Sequence, residues 1–278
     1  MIVTIDSLDD PRVAAYRDIP DPELLRRQNA FVAEGRLVVR QLLASDRFEA
    51  RSVLVSPAAL EGLRDAIEPR PDLHVFVMPG DRLAALVGFN IHRGCLAIGA
   101  RPPAVSVADW SRAAIPAGLA VAAERVGNAD NLGALFRNAL AFGAGGILLS
   151  PGCCDPLYRK AIRVSTGAAL RLPYAVDEAW PDAIRALRTA GARVLAMTPR
   201  PPARDLDDAV ARCGEEAPIV ILVGHEGDGL AEEALAAADE RVRIPLAPGV
   251  DSLNVATAAA IALHACRSRL GWPPTTSL

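Results

Sequence analysis

Ile244-Pro245-Leu246-Ala247-Pro248-Gly249-Val250-Asp251-Ser252-Leu253-Asn254-Val255 is a loop that empties into an alanine-rich segment reaching about Arg269. Pro248 and Gly249 supply a turn, and Ser252 is a side chain well suited to cap a helix. The alanine-rich segment is apolar almost all round, which predicts a buried helix from Leu253 to about Arg269, with Asn254 at its buried start. Backbone N–H groups at such a start are free for a ligand. Taken alone, the stretch also reads as an ordinary loop and a capped core helix.

Two further segments share its design. The apolar run Leu119 to Ala123 leads into Glu124-Arg125-Val126-Gly127-Asn128-Ala129-Asp130-Asn131-Leu132-Gly133-Ala134-Leu135-Phe136-Arg137-Asn138-Ala139. Ile219 to Val223 leads into Gly224-His225-Glu226-Gly227-Asp228-Gly229-Leu230. In each, a buried strand delivers polar groups to the carboxyl edge of a sheet, where open α/β proteins bind ligands.

In order and spacing, three motifs resemble those of the SpoU (TrmH) family: Asn131-x-Gly133-x-x-x-Arg137, Gly224-x-Glu226-Gly227-x-Gly229-Leu230, and Ile244-Pro245 with Ser252-Leu253-Asn254-Val255. Arg163-Val164-Ser165-Thr166-Gly167-Ala168 is also similar to that family, and the likeness spans roughly Leu119 to the C-terminus. The resemblance implies an enzyme that transfers methyl from S-adenosylmethionine to an RNA ribose 2′-hydroxyl. It further implies an α/β domain with a mainly parallel sheet, whose C-terminal region threads a deep trefoil knot, and a homodimer. No periodic signal reveals a knot.

For such chemistry the methyl donor is already activated, so the protein mainly aligns the groups and assists loss of the hydroxyl proton. The resemblance places Thr198, Val223, Gly224, Glu226, Gly229, Ile244, Leu246, Ser252, Leu253 and Asn254 at the cofactor, and Arg137, Asn131, Glu226, Ser252 and Asn254 at the chemistry. An arginine stays protonated in proteins, so Arg137 suits a phosphate clamp that stabilises a developing alkoxide better than a free base. Glu226 is the rival base, or a hydrogen-bonding partner that orients Asn131, Arg137 or Asn254. Departures from the family pattern are Asn128-Ala129 ahead of Asn131, His225 in place of a small residue, Leu246 for methionine, and Pro248 where glycine is frequent. None removes a reactive group.

The chain has 278 residues, 51% of them hydrophobic and 4% aromatic, enough for two domains each with a core of alanine, valine and leucine. A formal net charge of −3 gives no global attraction to nucleic acid. Local basic groups at Arg26-Arg27, Arg36, Arg40, Arg159-Lys160 and Arg163 offset this, with Arg36, Arg137 and Arg163 the expected RNA contacts. Five cysteines without Cys-x-x-Cys spacing, and no leader pattern or membrane-length apolar run, point to free thiols in the cytoplasm. A zinc motif and a phosphate loop are both missing their partner residues: His225-Glu226 has no second histidine, and no Gly-Lys-Ser or Gly-Lys-Thr occurs, so no metal is expected. Phe142-Gly143-Ala144-Gly145-Gly146 lies between a helix and a strand and reads as a helix C-cap with a turn. His74, His92 and His264 read as structural or exposed.

The expected organisation is a small N-terminal α/β sandwich over 1–101 that binds RNA, with an arm at 1–29, a linker at 102–116 holding at most a short helical turn, and a methyltransferase domain over 117–278. Strands are expected near Phe31–Ala33, Ser52–Val55, Val75–Val77 and Cys95–Ile98, then near Leu119–Ala123, Gly146–Leu149, Leu172–Ala175, Arg193–Met197, Ile219–Val223 and Val242–Ile244. Phe31-Val32-Ala33-Glu34-Gly35-Arg36 is similar to the start of the family's substrate-binding domain. Two other functions stay open: a knotted RNA-binding module without catalysis, and methylation of a base nitrogen. Ribosomal RNA is favoured over transfer RNA by analogy, because simple transfer-RNA members of the family lack the extra N-terminal domain.

Overall fold

The computed structural model describes residues 1–17, 28–88, 91, 94–214 and 217–272. Arg26, Arg27 and His92, and the middle of the N-terminal arm, lie outside the described residues. Two compact units emerge: Met1–Pro103 with Asp155–Arg171, and Ala104–Cys154 with Leu172–Leu278.

The first unit holds a five-stranded sheet of β1 (Ile2–Thr4), β2 (Ala30–Glu34), β3 (Ala50–Val55), β4 (His74–Val77) and β5 (Cys95–Ala100), in the order β1-β4-β3-β5-β2. β1, β4 and β3 run parallel, while β5 is antiparallel to β3 and β2. β1 was hidden in the expected arm, being three residues long with exposed ends; its pairing to β4 places Ile5 and Tyr16 in the core with Leu54, Met78 and Leu96. Helix α1 (Arg36–Leu43) buries Val38, Val39, Leu42 and Leu43 and leaves Arg36 exposed, the amphipathic stripe of a surface helix. Between β3 and β5 the connections carry α2 (Pro57–Glu61), α3 (Arg64–Ile67) and α4 (Gly80–Val87). The detached segment joins this unit through charge: Arg159 reaches the buried carboxylate of Glu34 at 2.8 Å, and Arg101 pairs with Asp155.

The second unit is a seven-stranded, wholly parallel sheet. Its strands are β6 (Leu119–Ala123), β7 (Ile147–Leu149), β8 (Tyr174–Val176), β9 (Arg193–Met197), β10 (Arg204–Asp205), β11 (Ile219–Val223) and β12 (Glu240–Arg243), ordered β10-β12-β9-β11-β6-β7-β8. β6 and β11 sit side by side near its middle and are buried throughout, as apolar runs between helical layers should be. β8 and β12 are displaced one or two residues from their expected positions, and β10 is too short to show a pattern. The expected linker is largely a helix: α5 (Val107–Ala114) is capped by Ser106 and buries Trp110 completely, its indole donating to the Pro173 carbonyl at 3.3 Å.

Helix α6 (Ala129–Ala141) starts on Asn128 and ends at Phe142, with Gly143 at φ 67° in the left-handed region, the C-cap and turn expected there. Among the described residues, four more helices complete this unit: α7 (Asp182–Thr189), α8 (Leu206–Ala211), α9 (Glu232–Ala237) and α10 (Val255–Leu270). Two expectations for α10 are corrected. Its cap is Asn254 rather than Ser252, because the Asn254 carboxamide accepts from the Ala256 and Thr257 N–H groups while Ser252 stays exposed. Nor is it buried all round or at its start: Asn254 is exposed, and Thr257, Ile261, His264 and Ser268 form an exposed stripe that small alanines on the other faces disguise.

Candidate active site

Each parallel strand of the second unit ends at the same sheet edge, and the loops leaving β6, β9, β11 and β12 converge there. After β6, Glu124 is buried and spent on structure: its carboxylate accepts from the Trp180 indole at 3.1 Å and from the Ala231 N–H at 2.9 Å. Arg125 comes next at φ 51°, a left-handed conformation that a non-glycine residue adopts only when held, here by its N–H donating to Ser150 Oγ at 2.9 Å. The loop then turns into α6 with Asn128 as cap.

After β11, Gly224 leaves no room for a side chain, since a Cβ would lie 2.5 Å from the Gly229 and Leu230 backbone. The chain folds back on itself through reciprocal backbone bonds between His225 and Gly229, at 3.2 and 3.1 Å. This hairpin projects Glu226. Its Oε1 accepts from Asn131 Nδ2 at 2.9 Å and from the Asn128 N–H at 3.4 Å. Asn131 in turn accepts on Oδ1 from Asn254 Nδ2 at 2.8 Å, and Asn254 Oδ1 takes the Ala256 and Thr257 N–H groups at 3.0 and 3.2 Å. One unbroken hydrogen-bond chain therefore joins all three sequence motifs.

Beside this chain lies a cavity of about 370 Å³. Thr198, Val223, Gly224, Glu226, Gly229, Ile244, Leu246, Ser252, Leu253 and Asn254 all line it, together with Asn131. Sequence reasoning did not assign Met197, Arg200, Asp228 and Val242, which line it as well. β9 ending in Thr198-Pro199-Arg200 is a fourth strand-to-polar-loop step, the signal by which Arg200 was open to discovery. Thr198 is buried, with its hydroxyl accepting from the Arg200 N–H at 3.2 Å.

Three expected residues stand elsewhere. Arg137 is exposed on α6, does not line the cavity, and makes no hydrogen bond or ion pair among the described residues. Arg36 and Arg163 belong to the first unit and are exposed there, Arg163 lying 4.0 Å from Glu34. His74 is exposed and stacked on Phe76, and His264 is exposed and edge-on to Phe142.

Residues 118–264 match the SpoU rRNA methylase family. A Mycobacterium tuberculosis protein bearing the name uncharacterized tRNA/rRNA methyltransferase is 42% identical over 95% of this chain and 90% of its own length. A Synechocystis protein of the same name is 27% identical over 99% and 97%. Among solved structures, an AdoMet-bound rRNA methyltransferase from Sinorhizobium meliloti superposes with a TM-score of 0.81 at 26% identity, covering 97% of this chain and 98% of that one. A SpoU methyltransferase from Streptomyces viridochromogenes shares the fold with a TM-score of 0.74 at 24% identity, covering 92% and 95%. The chain belongs to the SpoU rRNA methylase family. It is an RNA methyltransferase, and its methyl donor is S-adenosylmethionine.

The cavity fits that cofactor. Val223, Val242, Ile244, Leu246 and Leu253 form an apolar wall of the kind that would suit a flat base. At Gly229, with φ at 73°, no atom lies within 4 Å of the place a Cβ would take, so the backbone there faces open space. Among the described residues no helix is long and apolar enough to cross a membrane.

Proposed function

We propose that the protein methylates a ribose 2′-hydroxyl of RNA, with ribosomal RNA favoured over transfer RNA, in the cytoplasm. The observation that carries this reading is the chain Glu226–Asn131–Asn254, which fixes polar side chains from three motifs at the rim of one apolar cavity. When bound, S-adenosylmethionine supplies a methyl group already activated on a sulfonium. Thr198, Val223, Gly224, Gly229, Ile244, Leu246 and Leu253 hold it, while Glu226, Asn131, Ser252 and Asn254 set the polar rim. Arg137, exposed and without a described partner, is left free to clamp a substrate phosphate and to stabilise charge on the ribose oxygen. Arg36 and Arg163, exposed on the first unit, are phosphate contacts of their own in this reading, which takes that unit to be the RNA-binding domain.

The same reading takes the C-terminal region to be knotted. Support comes from the return of the chain to α6: Asn254 bonds Asn131, and Asn138 donates to the Ala256 carbonyl at 2.9 Å. It also takes the protein to be a homodimer. Val250, Ile261 and Trp272 are exposed by 49%, 39% and 57%, apolar side chains on α10 and flanking it that a second copy would cover.

The test is methyl incorporation from labelled S-adenosylmethionine into separated ribosomal and transfer RNA from a strain lacking the gene, with the labelled nucleoside then identified. A 2′-O-methylnucleoside, resistant to nuclease at the next phosphodiester, is expected in the ribosomal pool; a methylated base or no product would refute it. Arg137→Ala is expected to lower turnover by about a hundredfold or more, on the scale of losing one transition-state charge contact, while S-adenosylmethionine affinity measured by calorimetry stays within about threefold.

A further inference from the structure

His225 stands in the second motif where a small residue is usual, and the proposed chemistry gives it no part. Its surroundings do. The ring Nδ1 accepts two backbone hydrogen bonds, from the Gly227 N–H at 3.0 Å and the Asp228 N–H at 3.1 Å. An accepting Nδ1 places the ring proton on Nε2. The ring also packs on Gly227, where a Cβ would come 3.4 Å from the imidazole Cε1. Arg200 Nη2 donates to the Asp228 carbonyl at 2.6 Å, a second tie on the same loop. His225, Gly227, Asp228, Gly229 and Arg200 all line the cavity, so the loop held in this way is one of its walls.

The same pattern occurs twice more at this sheet edge. Asn128 Oδ1 accepts from the N–H groups two and three residues ahead, Asp130 and Asn131, at 2.8 and 3.3 Å. Asn254 Oδ1 accepts from Ala256 and Thr257, again two and three ahead. In the loop after β11 an imidazole nitrogen takes the place of the carboxamide oxygen, with the same spacing of donors.

We infer that His225 is a positioning residue, whose Nδ1 shapes the Gly227–Gly229 wall of the cofactor cavity and so sets affinity for S-adenosylmethionine without touching the reacting atoms. The role rests on the assignment of this cavity to the cofactor. Losing two acceptor bonds frees the wall, and two net hydrogen bonds are worth roughly tenfold or more in an equilibrium.

The experiment compares wild type, H225A and H225N by two readouts. The first is amide hydrogen exchange at Gly227 and Asp228 in the cofactor-free protein, monitored by nuclear magnetic resonance. The second is the dissociation constant of S-adenosylmethionine from calorimetry. H225A is expected to speed both amides by about tenfold and to weaken binding by about tenfold. H225N, which offers an oxygen in the position used by Asn128 and Asn254, is expected to restore both to within about threefold. If exchange in H225A is unchanged, or if H225N fails as badly as H225A, the positioning role is wrong. A wild-type protein that binds no S-adenosylmethionine would overturn the cavity assignment itself and the role with it, whereas unchanged exchange overturns only the role of His225.

Discussion

Asn254 spends both ends of its carboxamide, and that settles the orientation of everything beyond it. The helix N–H groups can only donate, so its oxygen must face them and its NH2 must face Asn131. Asn131 must then present its own oxygen to Asn254 and its NH2 to Glu226, which as a carboxylate ends the chain as an acceptor. Glu226 is therefore already committed to orienting Asn131, which favours that role over the base. Glu226→Gln can still accept through its amide oxygen, so turnover is expected to fall by less than about tenfold, whereas Glu226→Ala should cost about a hundredfold by releasing Asn131. Loss of a general base would instead cost roughly 10²- to 10⁴-fold in both variants, and steady-state kinetics on the pair separates the two roles. The need for polar groups at 131, 226 and 254 was legible in the sequence. Their order of donation was not, because it depends on which residue caps α10. Ser252 and Asn254 are both good caps by type, and only the neighbour at Asn131, 123 positions away, favours the second.

At the level of elements, α6 and α10 are fastened at both ends. Near the cavity Asn131 bonds the Asn254 cap of α10, further along α6 Asn138 bonds the first turn of α10, and at the far end Arg267 is buried with its guanidinium on the carbonyls of Phe142, Gly143 and Gly271, at 2.9, 2.8 and 3.2 Å. A cation on the last carbonyls of α6 also complements that helix's dipole. Arg267→Met keeps the stem and leaves those carbonyls without donors; a loss of about 2–4 kcal/mol in denaturant unfolding is expected. Burial pushes the Cys266 thiol on α10 up to about 12, with the nearby Cys213 adding to the shift. In the unfolded chain the thiol ionises near its ordinary value of 9.0. Between those values the unfolded state binds fewer protons than the folded one, so stability is full below pH 9 and falls as pH rises towards 12. Urea midpoints across that range should drop in the wild type and drop less in Cys266→Ala. Elements with strong periodicity or an apolar run, such as β6, β11 and α6, were readable in advance. α5 was not: framed by Pro102, Pro103 and Pro116, with a single large apolar residue at Trp110, it gains its stability from the partners that bury the indole. α10 misled for the opposite reason, since alanine carries no sign of which face meets water.

For the whole molecule, the separation into two units does not keep to the order of the chain. Residues 155–171 lie in the middle of the sequence, inside what reads as one continuous α/β domain, yet they are compact with residues 1–103. No periodicity announces this, because the link is made by tertiary pairs such as Arg159 with Glu34 and Arg101 with Asp155. A fragment ending at residue 103 would expose Glu34 without its counter-ion, and it is expected to show no cooperative thermal transition by circular dichroism. Adding a 155–171 peptide in trans should restore one.

The polypeptide thus crosses between the units three times, after residues 103, 154 and 171. For anyone recombining parts of such enzymes, the natural-looking splice at the proline-rich junction is the wrong cut: a graft of the first 103 residues onto another member's catalytic portion would carry a receptor for a segment, residues 155–171 here, that its new host encodes differently. The exchangeable module is discontinuous, and a working chimaera has to move both segments together.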